Sequence, residues 1–535
     1  MRPVLAALIL YLILIQPNHP GAMTWGAFAM FPLELPPLLA ALMLLGDGRA
    51  GRALRAVLVA VLVVIALLKL ADFATFIAFN RGFNLLADMN LVSAGWVLLQ
   101  GSVGPGLAWV LALAAGLALG LVIMALWWAM GVWARLPLRP VWARGVTAVV
   151  LVATGALAVA EIGQARRAWA LPPALSQTLP GAAFTARVGL ERWAQFRQTR
   201  ADILAFRDAA RTDPMLDQGP FFGALGGRDL ILIYIESYGR SSFQNPLYVP
   251  THTGTLRRIE GDLRARGLAM RSGWATAPMV GGQSWLAHGS VASGMWLDTQ
   301  ARNRALLASP RRTLFHFAQD AGLRTVAIKP AHVFPWPEGA FFGFDAIHNA
   351  ADLGYAGERF NWVTMPDQFT LKALERLEMS QPDRAPIFAQ VALVSSHAPW
   401  VPIPELVDWD AIGDGTIFNQ WALSGDPPEV VWRDHDRVRD QFRQAVDYSL
   451  QTVGAWAARH AGNPPLMIVM GDHEPARFVS GVDGFDVPVH VIGPPDLVAR
   501  FEALGWGEGL IPDPQIVPKR MDGLRDTFLH LLAAE

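Results

Sequence analysis

Leu230-Ile231-Leu232-Ile233-Tyr234-Ile235-Glu236-Ser237 decides the fold of the second half of this chain. Six apolar residues in a row, most of them β-prone, mark a strand buried on both faces. The run ends abruptly at a carboxylate. Glu236 therefore leaves the sheet at the strand's carboxyl end, where α/β sheets place their ligands. A carboxylate in that position calls for a cation or for an arginine, and Arg240 is the arginine nearest in sequence.

Outward from this strand, helical and strand patterns alternate. Residues 253–266, 313–320 and 368–379 read as helices, and 325–328, 387–394, 466–470 and 487–492 as strands. Val438, Phe442, Ala445, Val446, Leu450, Val453 and Trp456 fall on one face of a long helix. This order predicts an α/β domain, a mostly parallel sheet sandwiched by helices.

Two further stretches join Glu236. Gly471-Asp472-His473-Glu474 follows the strand at 466–470, and an adjacent carboxylate and imidazole at a strand end reach one metal ion together. Gly281-Gly282-Gln283-Ser284 precedes a helical run at 285–295, which sets Ser284 near a helix N-terminus. Exposed amides and the helix dipole favour an anion such as phosphate there. Ser284 is either a helix cap or a nucleophile, since a hydroxyl becomes nucleophilic only beside a base or a metal. Glu236, Asp472 and His473 around a divalent ion would supply that activation.

Other candidates lie nearby in the pattern. His288, one helical turn beyond Ser284, either supports the site or packs. His397, in the loop after the 387–394 strand, donates to a phosphate oxygen or protonates a leaving group if it faces the site. Lys329 ends the 325–328 strand, either as a point charge for the same oxygens or as a solvated strand-end lysine. His332 and Trp336 follow in its loop. The Pro-, Asp- and Trp-rich residues 400–433 are expected to form an acceptor-selecting lid.

Composition explains where such chemistry would occur. Hydrophobic residues make up 53% of 535, concentrated before residue 163, and the net charge of −1 gives no electrostatic case for nucleic acid. Cysteine is absent, which excludes thiolate ligands and cysteine nucleophiles. A bilayer core of ~30 Å takes about 20 apolar helical residues. Five spans are expected at 4–15, 28–45, 53–79, 106–133 and 145–161, the first of which also has the look of a signal-peptide core. Arg2 precedes the first span, Arg49, Arg52 and Arg55 lie between or at the edges of the second and third, and Arg135, Arg139 and Arg144 lie between the fourth and fifth. These arginines share one side, while the other connections carry only Arg81, offset by Asp88. Basic loops remain cytoplasmic, so the remainder of the chain is expected outside. Glu34, within an apolar stretch, is either functional or an interfacial residue at a proline-broken helix start. The expected organisation is a transmembrane domain at 1–163, a linker with a possible membrane-surface helix at 164–226, and an extracytoplasmic catalytic domain at 227–535.

Taken together, the E-S pair, the serine after paired glycines, the G-D-H motif and His397 resemble the alkaline-phosphatase/sulfatase superfamily. Within it, the span-plus-outer-domain organisation resembles the membrane-bound lipoteichoic-acid-synthase-like group. That resemblance implies one divalent ion, manganese or magnesium foremost with zinc also admitted, held by Glu236, Ser284, Asp472 and His473. It implies Ser284 as nucleophile and His397 in contact with substrate. The family's substrate-binding His-and-Trp loop is only loosely similar to Lys329–Trp336, which holds His332, and His288 joins the substrate-side candidates from its helical spacing alone. It also implies transfer of a phosphoglycerol-like head group from a membrane phospholipid to a glycan or glycolipid, at a bacterial plasma membrane. Serine stands where such transferases usually have threonine, and Ser284-Trp285-Leu286-Ala287-His288 lacks the Cys/Ser-x-Pro-x-Arg of sulfate-ester hydrolases. Phosphodiester hydrolysis, phosphoethanolamine transfer and a non-catalytic membrane module are the alternatives.

Overall fold

A computed structural model describes residues 1–79, 81–170, 181–334 and 336–534. Residues 171–180 of the expected linker lie outside the described residues. The chain divides into two compact units, Met1–Asp202 and Ile203–Glu535.

The first unit is helical: α1 (Arg2–Ile15), α2 (Leu35–Leu45), α3 (Arg49–Phe79), α4 (Met89–Val103), α5 (Pro105–Ala134), α6 (Val141–Ala165) and the start of α7 (Phe184–Ala209). Three of them, α3, α5 and α6, are long and apolar enough to cross a membrane. At ~1.5 Å per residue, the 14 residues of α1 and the 11 of α2 fall short of a full crossing. The five expected crossings thus include two helices that do not reach across alone. In the 28–45 stretch the cause is proline. Pro32 belongs to a two-residue strand paired with Gly181–Ala182, and Pro36 and Pro37 occupy the first turn of α2. Helix α4 lies where the sequence suggested only a connection. The ion pair of Arg81 with Asp88, 2.6 Å, precedes it, and these two charges made the segment read as a loop.

Glu34 has a structural task. The first amides of a helix have no partner within it, and its N-terminus attracts negative charge. At the start of α7, Ala186 N donates to Glu34 Oε1 at 2.9 Å and Ala183 N donates to Glu161 Oε2 at 3.0 Å. Two carboxylates, Glu34 just before α2 and Glu161 in α6, thereby cap α7, and Arg192, about two turns into that helix, pairs with buried Asp72.

The second unit is built on β1 (Leu230–Ile235), β2 (Ala269–Thr276), β3 (Arg324–Lys329), β4 (Ala346–Asn349), β5 (Ile387–Leu393), β6 (Leu466–Gly471), β7 (Asp486–Gly493) and the two-residue strands β8 (Gly507–Glu508) and β9 (Lys519–Arg520). The order is β8-β2-β7-β6-β1-β5-β3-β4, with β9 beside β2. Strands β6, β1, β5, β3 and β4 are parallel, while β7 runs against both β6 and β2. All six residues of β1 are buried. Ile231, Ile233 and Ile235 enter one apolar core, and Leu230, Leu232 and Tyr234 the other. The period of two between faces explains why no polar residue interrupts the run.

Strand β2 escaped the sequence pattern, because Arg271, Ser272 and Gly273 break its apolar character. Ser272 is buried yet satisfied, donating to Gly509 O at 2.7 Å and meeting His490 Nδ1 at 2.7 Å. Helices α8 (Val249–Ala265), α9 (Ser284–Ser293), α10 (Asp367–Leu374) and α11 (His435–Arg459) flank the sheet. The expected apolar face of α11, from Val438 to Trp456, is buried throughout.

Candidate metal centre

Register brings the acidic groups together. Ile235 of β1 lies opposite Gly471 of β6 and Leu393 of β5, so the next residues, Glu236 and Asp472, emerge side by side at the carboxyl edge. Close approach is then required. A side chain on Gly471 would stand 1.7 Å from Tyr238 O, and one on Gly239 would stand 2.1 Å from the Glu474 carboxylate. Backbone blocks any side chain at Gly471, and one at Gly239 would have to displace the Glu474 carboxylate.

Hydrogen bonds hold the three motifs as one body. Asp472 Oδ1 accepts from Ser237 N at 2.8 Å and from His473 N at 2.7 Å. Ser396 Oγ donates to Glu236 O at 2.6 Å, which ties in the loop carrying His397. The glycine loop before α9 is pinned by Gly281 N donating to Glu474 O at 2.8 Å. Gly281, Gly282 and Gln283 all have positive φ, and Gln283, at 66°, is the strained member. This turn sets Ser284 at the first position of α9 and aims it back at the strand ends.

Ser284 Oγ donates to Glu236 Oε2 at 2.8 Å and lies 3.2 Å from His473 Nε2. His473 Nδ1 lies 2.8 Å from Glu474 O. A carbonyl only accepts, so Nδ1 carries the proton and Nε2 turns its lone pair inward. That nitrogen is 3.2 Å from Glu236 Oε1. A bare lone pair facing a carboxylate is repulsive unless a proton or a cation lies between them. One ligand atom from each of Glu236, Asp472 and His473 lies within 4.8 Å of the others. All three residues are buried, and His473 is their only ion-pair partner among the described residues. Arg240, the alternative partner for Glu236, pairs instead with Asp486 at 2.8 Å.

Burial and the Glu236 charge together raise the Asp472 carboxyl to about 8. For His473 burial opposes protonation, yet Asp472 and Glu236 outweigh it and raise the imidazole to about 10. Glu236, against burial, is held well below the usual carboxylate range by His473. The cluster keeps a proton to offset its own negative charge. Two carboxylates, an imidazole with its lone pair inward and a hydroxyl make a donor set that fits a divalent cation in the proton's place.

The substrate-side candidates divide into two groups. Lys329, 4% exposed at the end of β3, has Nζ 3.4 Å from His288 Nδ1 and 5.4 Å from the Trp336 ring. His332 meets Trp336 edge-on at 5.2 Å. His288 lies over Tyr234 with ring centroids 3.9 Å apart, so it supports Lys329 from beneath. Burial lowers the Lys329 ammonium to about 7, against the pull of Asp472. His397 belongs to the other group, beside a pocket lined by Ser395 and Trp400. Sequence reasoning missed Ser237, Ser396 and Glu474. Glu474 had a signal, since it adjoins the G-D-H motif, and its buried carboxylate accepts from Ser241 N and Ser241 Oγ, both at 2.7 Å.

The Sulfatase family model matches residues 228–486. Among solved structures, the chain is similar to lipoteichoic acid synthase LtaP from Listeria monocytogenes, at 14% identity over 55% of this chain and 70% of that one, TM-score 0.35. It is similar to phosphoglycerol transferase GacH from Streptococcus pyogenes, solved with sn-glycerol-1-phosphate, at 14% identity over 55% and 75% of the two chains, TM-score 0.35. It is also similar to the zinc complex of the C-terminal periplasmic domain of EcEptC from Escherichia coli, at 14% identity over 59% and 84%, TM-score 0.35. The sequence matches no curated protein.

Proposed function

We infer from the sulfatase-family domain at residues 228–486 that the chain is a membrane-bound, metal-dependent phosphotransferase. It moves a head group from a phospholipid to a hydroxyl acceptor through a phosphoserine at Ser284. The observation that carries this is the position of Ser284 Oγ, 2.8 Å from Glu236 Oε2 and 3.2 Å from His473 Nε2, at the mouth of a buried donor set.

Glu236, Asp472 and His473, with Ser284 Oγ, would hold the cation, manganese or magnesium on this carboxylate-rich set. The ion would supply positive charge that lowers the pKa of the hydroxyl and neutralises the phosphoryl group. The proton that Ser284 already donates to Glu236 is the one it loses on attack. In the first displacement the Oγ–P bond forms and the P–O bond to the lipid breaks, and protonated His397 gives its Nε2 proton to the departing oxygen. Lys329 faces the phosphoryl oxygens as a fixed charge. In the second displacement His397 takes the acceptor's hydroxyl proton, the acceptor O–P bond forms, the Oγ–P bond breaks, and Oγ recovers its proton. A glycan or glycolipid hydroxyl as acceptor makes a transferase. Water makes a phosphodiesterase.

The test is incubation of the full chain in lipid vesicles with head-group-labelled phosphatidylglycerol, followed by mass analysis of the peptide bearing Ser284. A phosphorylated Ser284 is expected, with loss of at least a thousandfold in lipid turnover for Ser284→Ala. Unchanged turnover in that variant would remove Ser284 from its role. Glu236→Ala should leave the purified protein without its equimolar divalent ion, and wild-type protein that itself binds no ion would sink the metal assignment.

A further inference from the structure

The surface of the second unit is uneven. Loops entering the amino ends of β1, β3, β5 and β6, at 226–229, 321–323, 380–386 and 460–465, expose no large hydrophobic side chain among the described residues. The opposite edge, where the metal centre lies, exposes several. Trp285 follows Ser284, Val333 and Phe334 lie in the loop that leaves β3 at Lys329, and Val430 and Trp432 precede α11. Trp362 lies between Phe360 and Val363, which line the space at His397. Phe334 is 77% exposed and Trp362 69%. Exposed apolar residues are ordinary one at a time, but a contiguous patch marks a surface for a partner.

Hydrogen bonds join these loops into one rim. Thr364 Oγ1 donates to Pro330 O at 2.7 Å, which ties the Trp362 loop to the one bearing Phe334. Asn361 Nδ2 donates to Val401 O at 2.6 Å, and Trp432, stacked on Trp400, donates through Nε1 to Pro399 O at 3.2 Å. The 3.4 Å contact between Lys329 Nζ and His288 Nδ1 joins the β3 loop to α9, whose first turn carries Trp285. The exposure of Trp362 is built in. Phe360 and Val363 exchange both backbone hydrogen bonds, at 2.9 and 3.0 Å, and bury their own side chains, so Asn361-Trp362 is the tip of a tight turn. Asn361, at φ 57°, takes the left-handed conformation that such a tip needs.

The makeup of the rim selects its occupant. Tryptophan, apolar in its body and hydrogen-bonding at one edge, suits the boundary between lipid head groups and acyl chains. Arg359, three residues before Trp362, and Arg433, directly after Trp432, are exposed and make no ion pair among the described residues. A guanidinium beside an inserted ring reaches lipid phosphate. Glu358 and Glu429 share these loops, so the contact is aromatic before it is electrostatic. Helices α3, α5 and α6 keep a bilayer within the chain's reach, and a surface that would hold a free protein only weakly suffices once it is tethered. We propose that this rim enters the phospholipid interface with Phe334 and Trp362 leading, so that the metal centre opens onto lipid head groups rather than bulk water. The proposal rests on the phosphotransfer reading for what the contact achieves, and on the rim alone for the contact itself.

Because the chain has no cysteine, a single one can be introduced and labelled cleanly. Phe334→Cys, Trp362→Cys and Gln381→Cys, the last exposed ahead of β5 at the amino edge, would each carry a small environment-sensitive fluorophore. The full chain would be reconstituted in mixed phosphatidylcholine and phosphatidylglycerol vesicles. A nitroxide on the lipid acyl chain just below the head group should quench the labels at 334 and 362 at least twofold more than the label at 381. Iodide present on both sides of the membrane should show the reverse order. Equal quenching at all three sites would overturn the proposal. So would labels at 334 and 362 shielded from both quenchers, the sign of a protein partner or a second copy. A second measurement reads the purpose of the contact. In the double variant Phe334→Ser with Trp362→Ser, turnover of vesicle phospholipid should fall at least tenfold, while a water-soluble phosphodiester is cleaved at the wild-type rate. An equal fall for both substrates would make the rim a mere wall of the site and reject the proposal, as would unchanged turnover of both. Failure of the phosphotransfer reading looks different: neither substrate would turn over in the wild type, while lipid quenching at 334 and 362 would persist.

Discussion

Lys329 shows how one side chain's surroundings set its chemistry. It is nearly buried, its hydrogen-bonding neighbour is an imidazole, and burial brings its pKa down to about 7. The ammonium is therefore present below about pH 7 and is lost as pH rises through that value. A phosphoryl group held by this charge would bind more weakly on the alkaline side. For the proposed reaction, kcat/KM should fall above about pH 7, and Lys329→Arg should move that limb upward by more than one pH unit, because guanidinium stays charged. An unmoved limb would detach Lys329 from the phosphoryl group. The stability term has the opposite sense. Between about 7 and its ordinary 10.5 the folded state binds fewer protons at this residue than the unfolded chain, so its contribution makes stability rise with pH across that window. Lys329 was legible as a strand-end lysine, but its burial and its contact with His288 came from tertiary neighbours.

At the scale of elements, β1 both holds the domain together and points its chemistry. Alternate residues supply two cores, so a deletion on one face should be felt in stability before geometry. Ile233→Ala removes three methyl-type carbons from a fully buried position and should cost ~2–5 kcal/mol. Thermal unfolding of the full chain in detergent would check this, and a cost under 1 kcal/mol would contradict so dense a core. The strand itself was readable, since the predicted range and the observed Leu230–Ile235 coincide. Strand β2 was not readable, because Arg271 and Ser272 sit well in a sheet only when β7 lies on one side and a Glu502 carboxylate or a His490 imidazole is within reach. Short-range pattern carries no record of such partners. The same limit applies to α2, whose apolar residues continue a span-like run that prolines at its start cut to 11 residues.

The whole molecule joins apolar helices to a domain with a polyanionic centre, and its lack of cysteine offers a clean test of sidedness. A single cysteine introduced at Leu423, 84% exposed in the second unit, should react with a membrane-impermeant maleimide in intact cells. One at Arg139, between α5 and α6, should react only after permeabilisation, and the reverse pattern would invert the assigned topology. The basic loops behind that assignment, the buried runs of the central strands and the identities of Glu236, Ser284, Asp472 and His473 were all present in the order of residues. Hydrophobic patterning and the two-residue period of a strand are local consequences of residue type, so they can be read along the chain. The tautomer of His473, the release of Arg240 to Asp486 and the contact of Lys329 with His288 arose only on folding. Each joins residues tens to hundreds of positions apart, or fixes a proton through a backbone carbonyl, and a hydrogen bond of that kind exists only once its partners have been brought within ~3 Å.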